Sequence, residues 1–220
     1  MEKKNQRFPS PKYTFIWDVA IVVKYLDSLG HNDSLNDKLL TLKLTMLLAL
    51  TSSARAHEIC LLNNSLLVKH HSGYEFHFSN PTKVDRVGKK RPPIKFMPFK
   101  GDKNLCVCNC IDSYLLRTKD RRGENSQLLL SYVKPFLPVK TSTVSRWLTN
   151  VLSLSGINIS VYAGHSTRSA STSKAKLGGV PVKEIMKRGH WASSTTFEKY
   201  YFKEVNEGGD LFQSSILAKK

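Results

Sequence analysis

The sequence predicts a single mixed α+β domain that is mainly helical and carries a small three-stranded antiparallel sheet. Three observations lead to this fold class. Apolar residues recur at helical spacing over most of the chain. Between residues 65 and 99 the pattern changes to the short apolar runs that are typical of strands. The chain has 220 residues, 40% of them hydrophobic, which is enough for one sizeable core.

The N-terminal part predicts a tail and two helices. Residues 1–12 are polar and contain two prolines, so we predict a flexible tail or linker before a domain over residues 13–206. Apolar spacing predicts a helix from Thr14 to Leu29, where Gly30 ends it. The run from Leu39 to Leu50 is nearly all apolar, which predicts a helix buried on most sides.

Three strands are predicted over residues 66–68, 74–78 and 94–99. The loop between the last two is strongly basic. Its basic residues are Lys83, Arg86, Lys89, Lys90 and Arg91. Such a hairpin tip can enter a groove of a nucleic acid or bring a lysine to a phosphate. It can equally be a solvated loop or a nuclear-localisation run, and the loop alone does not decide between them.

Helices dominate the C-terminal half. They are predicted over residues 105–118, 141–154, from His165 to Gly178, over 181–188 and over 193–204. The last segment, residues 207–220, is predicted as a tail. Its apolar residues Leu211, Phe212, Ile216 and Leu217 can cover a groove in this molecule or in a neighbour.

Composition narrows the class of partner. The chain has 34 Lys and Arg against 17 Asp and Glu, a net charge of +17, which points to a polyanion, most often nucleic acid. No apolar run reaches the roughly 18 residues of a membrane span, and the charged N-terminus leads into no signal-peptide core. We therefore expect an intracellular protein with reduced cysteines. Cys106, Cys108 and Cys110 alternate without the paired spacing of zinc sites, so we predict buried helix thiols.

Arg55 follows directly on the apolar run, so we expect it to lie partly inside the protein. A buried arginine needs a partner. Glu58, three residues on, can orient it, or the guanidinium can bind a phosphate.

His165 and Arg168 lie three residues apart in a predicted helix, so we expect them to share a helix face. This pairing presents an imidazole beside a guanidinium fork, which suits a phosphate whose charge changes during a reaction.

Taken in order, the chain offers Arg55, a lysine-bearing hairpin, His165-x-x-Arg168, Gly-His-Trp191 and a tyrosine about ten residues on. This ordered set resembles the catalytic domain of tyrosine recombinases, over roughly residues 14–204. The residues around these motifs are most similar to those of the recombinases of DIRS-like and Crypton-like eukaryotic mobile elements. The stretches that carry the resemblance are Phe15-Ile-Trp-Asp-Val19, Leu50-Thr-Ser-Ser-Ala-Arg-Ala-His-Glu-Ile59, His165-Ser-Thr-Arg-Ser-Ala-Ser171 and Arg188-Gly-His-Trp-Ala-Ser-Ser-Thr-Thr-Phe-Glu-Lys-Tyr-Tyr201.

The resemblance implies an enzyme that cuts and rejoins double-stranded DNA through a 3′-phosphotyrosyl intermediate, without a cofactor or metal. It implies that Arg55 and Arg168 clamp the phosphate, that His165 transfers protons and that Trp191 donates a hydrogen bond to the phosphate. Lys83 would be the general acid, with Lys89 and Lys90 as alternatives. Lys89, Lys90 and Arg91 would also contact DNA.

The nucleophile implied by the resemblance is Tyr201, with Tyr200 as the alternative. The resemblance also implies a nuclear protein, of which four protomers join two DNA duplexes, with the 207–220 tail as an inter-protomer contact. Members of the family usually clamp DNA with a second, N-terminal domain. Residues 1–12 are too short to supply it, so we expect weaker DNA binding.

Other functions fit part of the pattern. A domesticated recombinase that binds DNA without catalysis would keep the basic surface but not a reactive tyrosine. A type IB topoisomerase-like enzyme would share the chemistry but relax supercoils. An RNA-binding protein is supported by the charge alone.

Overall fold

The structure is a computed structural model that describes residues 13–79, 92–191 and 194–205, without the side chains of Thr196 and Tyr200. Several predicted features therefore lie outside the described residues. They are the tail over residues 1–12, the basic loop with Lys83, Lys89, Lys90 and Arg91, and the 207–220 tail.

Within these ranges the protein has eight α-helices and five short strands. The helices are α1 (Val19–Ser28), α2 (Asp37–Ser52), α3 (Ala56–Cys60), α4 (Val107–Arg122), α5 (Thr141–Leu154), α6 (Ser166–Leu177), α7 (Val182–Gly189) and α8 (Ser194–Tyr200). The strands are β1 (Phe15–Ile16), β2 (Leu67–His70), β3 (Gly73–Phe76), β4 (Ile94–Phe96) and β5 (Glu204–Val205). Strands β2, β3 and β4 form an antiparallel sheet in that order, which confirms the predicted fold class.

Helix α2 is the centre of the core, as its unbroken apolar run predicts. It is buried on nearly all sides and packs against α4, α5 and α6. Its buried hydroxyls bond to the helix's own backbone, as Thr45 does to the carbonyl of Thr41 at 2.7 Å. The ammonium of Lys43 is fully buried and donates to the carbonyl of Gly30 at 2.7 Å. Burial lowers the pKa of Lys43, because the charged form loses its hydration.

The three-stranded sheet covers one end of this core. Phe76 of β3 and Phe96 of β4 are both buried and meet edge to face, with ring centroids 6.1 Å apart. Gly73 begins β3 at a φ of 144°, and a Cβ there would lie 2.3 Å from the carbonyl oxygen of Phe96. Glycine therefore allows the two strands to approach at this end.

Two predicted helices are too long. Residues Thr14 to Asp18 are not helical, because β1 pairs in parallel with β5, with Phe15 opposite Glu204 and Ile16 opposite Val205. Helix α1 begins only after Asp18, whose carboxylate accepts from the Ala20 amide at 3.0 Å. At the other end, α8 stops at Tyr200 and residues 204–205 form β5.

Helix α4 and strand β4 also differ from their predicted bounds: α4 starts two residues later and ends four residues later than predicted, and β4 ends at Phe96 instead of Phe99. Helix α5 spans the predicted residues 141–154, and α6 and α7 begin within one residue of the predicted starts. Cys106, Cys108 and Cys110 are buried at the start of α4, as predicted, whereas Cys60 is half-buried. None of the described helices combines the length and apolar character that a membrane span requires.

Candidate active site

Arg168 lies in the first turn of α6 and is 5% exposed. Its guanidinium donates to two backbone carbonyls from separate elements, those of Ser53 and Gly189. The carboxylate of Glu58 lies 3.8 Å away. A buried guanidinium is thus held by two segments that are far apart in sequence, residues 53–58 and the end of α7 at Gly189.

The two carbonyls reach Arg168 because the chain turns sharply at each. Ser53 ends α2 in the left-handed conformation, with a φ of 55°. His190 has the same left-handed φ of 55° immediately after Gly189, at the end of α7. A Cβ at position 189 would lie 1.9 Å from the Trp191 ring, so glycine leaves room there for the indole to pack on the end of α7.

Arg55 lies partly inside the protein, as predicted, with 44% of its side chain exposed. It follows the turn after α2 and is the N-cap residue of α3, so it starts a new helix at the surface instead of continuing a buried one. Its side chain lies 3.6 Å from the Glu58 carboxylate, which also accepts from the Arg55 amide at 2.6 Å. Glu58 therefore orients Arg55, as the sequence suggests.

One carboxylate serves both arginines. Glu58 is buried and lies within 4 Å of the guanidiniums of Arg55 and Arg168. Burial, and after it the positive charge of Arg55, lower the pKa of Arg168, while Glu58 and Tyr201 oppose the shift, and together these effects bring the pKa to about 10. Arg168 remains charged at neutral pH, so the site holds two cations and one anion.

Trp191 and Tyr201 cover the guanidinium of Arg168. The Cζ atom of Arg168 lies 4.0 Å from the Trp191 ring centroid and 5.2 Å from that of Tyr201. The two rings contact each other, with centroids 4.7 Å apart. Tyr201 follows the end of α8, and its amide donates to the carbonyl of Phe197 at 2.9 Å. The predicted nucleophile thus lies against the predicted clamp.

Two buried donors in this cluster have no hydrogen-bond partner among the described residues: Nε of Arg168 and Nε1 of Trp191. Leaving such a donor unpaired costs about 1–3 kcal/mol. Buried polar groups are otherwise nearly always paired in folded proteins, so two such donors side by side are typical of a site that binds an acceptor.

His165 is the N-cap residue of α6, and Arg168 lies in the first turn that follows. The predicted helix therefore starts one residue later than His165, which is exposed while Arg168 is buried. The imidazole Nε2 lies 2.8 Å from the hydroxyl of Tyr13, a residue to which the sequence assigns no function. The contact spans 152 positions, so no local pattern reveals it.

The structure brings Arg55, Arg168, Trp191 and Tyr201 into one cluster and adds Glu58 to them. His165 lies at the start of the helix that carries Arg168. The sequence could not predict that the backbone carbonyls of Ser53 and Gly189 bind Arg168, because every residue has a carbonyl and no residue type marks this role.

A cavity of about 370 Å³ lies on the α7 side of this cluster. The charged and titratable side chains in its walls are Lys95, Glu184, Lys187, Arg188 and His190. Arg188 also donates to the carbonyls of Thr51 at 3.2 Å and Lys95 at 3.0 Å, which ties α7 to the end of α2 and to β4. The charged residues in the walls of this cavity are therefore mostly basic, which favours phosphate binding.

No family model and no curated protein matches the sequence. Solved structures do match. XerA recombinase is similar with a TM-score of 0.62 and 17% identity, over 96% of this chain and 67% of that chain. XerH site-specific recombinase bound to difH substrate, in a pre-cleavage complex, has a TM-score of 0.65 and 11% identity, over 98% of this chain and 57% of that chain.

The lambda integrase catalytic core is similar with a TM-score of 0.51 and 16% identity, over 87% of this chain and 99% of that chain. The chain thus spans about half to two thirds of the Xer recombinases and nearly all of the lambda catalytic core. Identities this low show the fold alone. The protein has the fold of a tyrosine recombinase catalytic domain.

Proposed function

We propose that this protein is a site-specific DNA recombinase or integrase that works through a covalent 3′-phosphotyrosyl intermediate. The observation that carries the proposal is a pair of buried donors without a partner among the described residues, Arg168 Nε and Trp191 Nε1, next to the ring of Tyr201. A phosphate oxygen is an acceptor that suits both donors, and a tyrosine oxygen is a nucleophile for phosphorus.

The proposed step is a transesterification. The Tyr201 oxygen bonds to phosphorus while the bond from phosphorus to the 5′ oxygen breaks. Tyr201 gives up one proton and the 5′ oxygen takes one. The new phosphotyrosyl bond replaces the phosphodiester bond that breaks, so the step needs no external energy source. Rejoining reverses it.

Arg55, Arg168 and Trp191 bind the non-bridging oxygens in this proposal. Charge grows on those oxygens in the transition state, and fixed donors in a site with little water are worth several kcal/mol there. Arg168 is already held in place by two carbonyls, whereas Arg55 is more exposed and is oriented by Glu58.

Two other residues transfer the protons in this proposal. His165 takes the proton from the nucleophile, and Lys83 of the basic loop gives one to the leaving 5′ oxygen. Lys89 and Lys90 are the alternatives for the second role. Lys89, Lys90 and Arg91 also bind the DNA backbone.

The wider context follows from the resemblance of the sequence to the recombinases of DIRS-like and Crypton-like mobile elements. The protein then integrates or excises such an element in the nucleus. Four protomers join two duplexes, with the 207–220 tail between neighbours.

Covalent trapping tests the proposal. A pool of nicked duplexes with randomised cores is incubated with the protein, boiled in detergent and separated by size. A protein–DNA band is expected for the wild type and for Tyr200→Phe, but not for Tyr201→Phe. Mass spectrometry of the digested adduct identifies the tyrosine that carries the nucleotide.

The outcomes separate the alternatives. A band lost only in Tyr200→Phe moves the nucleophile by one residue. Salt-sensitive DNA binding with no band from any duplex contradicts catalysis and supports a binding module. If trapped DNA comes with relaxation of supercoiled plasmid and with no joining of two duplexes, the enzyme is a topoisomerase.

A further inference from the structure

Tyr13 holds the exposed imidazole of His165 from the protein side. Its hydroxyl and His165 Nε2 lie 2.8 Å apart and share a hydrogen bond. The two rings are also nearly stacked, with centroids 5.5 Å apart and planes inclined by 26°. Tyr13 itself is only 9% exposed. An exposed side chain is thus fixed by a buried one.

The position of Tyr13 is set by the residues around it, here named the lead segment (residues 13–18). The Tyr13 ring packs against Tyr162, with centroids 5.5 Å apart. Trp17 donates its indole N–H to the Ser166 hydroxyl at 2.8 Å, in a buried contact. Two residues of the lead segment therefore bond to two consecutive residues at the start of α6.

The same segment reaches the chain that follows the predicted nucleophile. Phe15 and Ile16 pair with Glu204 and Val205, three and four residues after Tyr201. Lys174 of α6 lies 3.4 Å from Asp18 at the other end of the segment. The lead segment therefore fixes the imidazole relative to both α6 and the strand beyond Tyr201.

A hydrogen bond to one ring nitrogen of histidine sets the tautomer and the ring orientation. Catalytic histidines that act on a nucleophile are commonly oriented by a third group in this way. We propose that Tyr13 is a positioning residue for His165, which fixes its ring plane for proton transfer. The inference rests on the proposed function. Tyr13 touches no DNA in it, and neither gains nor loses a proton over the reaction.

Tyr13→Phe tests the proposal, because it removes the hydroxyl and keeps both ring contacts. In single-turnover cleavage of a nicked duplex, the rate constant is expected to fall roughly tenfold, while the DNA dissociation constant stays unchanged. Tyr132→Phe is the matched control, since this ring stacks on Trp147 away from His165. It should cleave like the wild type.

A double-mutant cycle distinguishes positioning from a general structural role. If Tyr13 acts through His165, then Tyr13→Phe has no further effect on the cleavage rate of His165→Gln. A full tenfold loss in that background overturns the proposal, and so does faster cleavage by Tyr13→Phe alone.

Nuclear magnetic resonance of the imidazole nitrogens tests the contact without catalysis. The His165 signals are those absent from His165→Gln, and Tyr13→Phe is expected to shift its Nε2 signal. Unchanged nitrogen signals overturn the inference whatever the enzyme does. Shifted signals in a protein that forms no covalent adduct support the positioning contact and contradict the proposed function instead.

Discussion

At the scale of single residues, Arg168 shows how the site is built before DNA arrives. Its guanidinium is fixed by the carbonyls of Ser53 and Gly189 and covered by two aromatic rings. Fixed donors stabilise a transition state more than mobile ones, because they need no reorganisation as the charge develops. The same burial makes Arg168 sensitive to the loss of its counter-charge.

Glu58→Gln removes that counter-charge and keeps the shape of the side chain. Both Glu58 and Arg168 are buried, so the variant leaves a positive charge with less compensation inside the protein. The free energy of unfolding, measured in urea, is expected to fall by about 2 kcal/mol. Glu75→Gln is the control, because Glu75 pairs with the exposed Lys95 and its loss should change stability little. Equal stability of the two variants would show that Glu58 does not compensate Arg168.

Gly189→Ala is expected to displace the indole of Trp191 from Arg168. The added Cβ would lie 1.9 Å from the Trp191 ring, which is too close for any contact. We expect a loss of stability of about 1–3 kcal/mol and easier quenching of Trp191 fluorescence by acrylamide, with Trp191→Phe as the reference for its emission. Gly178→Ala is the control, since its Cβ would lie no closer than 3.3 Å to a neighbouring atom. An unchanged emission in Gly189→Ala would mean that the backbone moves instead of the ring.

At the scale of elements, local pattern predicts most of the fold and contacts across the chain explain what it misses. The apolar run of α2 and the spacing of α5 are local, and both helices are where the sequence predicts them. Strands β1 and β5 are two residues long and exist only because they pair with each other, 189 positions apart at Phe15 and Glu204. Neither segment carries a strand signal of its own.

The candidate site also combines residues that the sequence predicts with features that depend on the fold. Arg55, Arg168, Trp191 and Tyr201 stand in recognisable stretches of sequence, and the fold brings them together. How far Arg55 is exposed could not be read from the sequence, because it depends on the left-handed turn at Ser53. The contact of Tyr13 with His165 depends on the whole fold.

The ion pairs between α2 and α4 predict how the stability of the protein depends on pH. The Asp37 carboxylate bonds to Arg121 and lies 3.6 Å from Arg117, and these partners lower its pKa below the ordinary value near 3.8, against an opposing effect of burial. A lowered pKa in the folded state adds stability above the unfolded pKa, and this stability is lost as the pH falls through the folded value.

Asp37→Asn should therefore melt at a lower temperature than the wild type at pH 7, and the gap should close as the pH falls from about 5 to 2. Calorimetry over this range measures the gap. Asp120→Asn, which removes an exposed carboxylate from α4, is the control. A gap that stays constant with pH would contradict the assignment to the Asp37 charge.

At the scale of the whole molecule, the two ends of the described chain meet beside the site. Pairing of β1 with β5 joins the segment before α1 to the segment after Tyr201, and the lead segment contacts His165 from there. The chain as a whole carries a net charge of +17. Electrostatic attraction to DNA does not depend on the base sequence. Its contribution is measured by how the binding constant changes with salt concentration.

Salt dependence separates charges that touch DNA from charges that do not. Each phosphate contact adds about 0.9 to the slope of the logarithm of the binding constant against the logarithm of the salt concentration. If the basic loop binds DNA, Lys89→Ala with Lys90→Ala should lower that slope by about 2.

The control is Lys38→Ala with Lys119→Ala, which removes the same charge. Lys38 is exposed at the start of α2, about 20 Å along the helix from the Ser53 turn. Titration of one labelled duplex at several salt concentrations gives both slopes. Equal slopes for the two double variants would mean that Lys89 and Lys90 attract DNA only through net charge and make no phosphate contacts of their own.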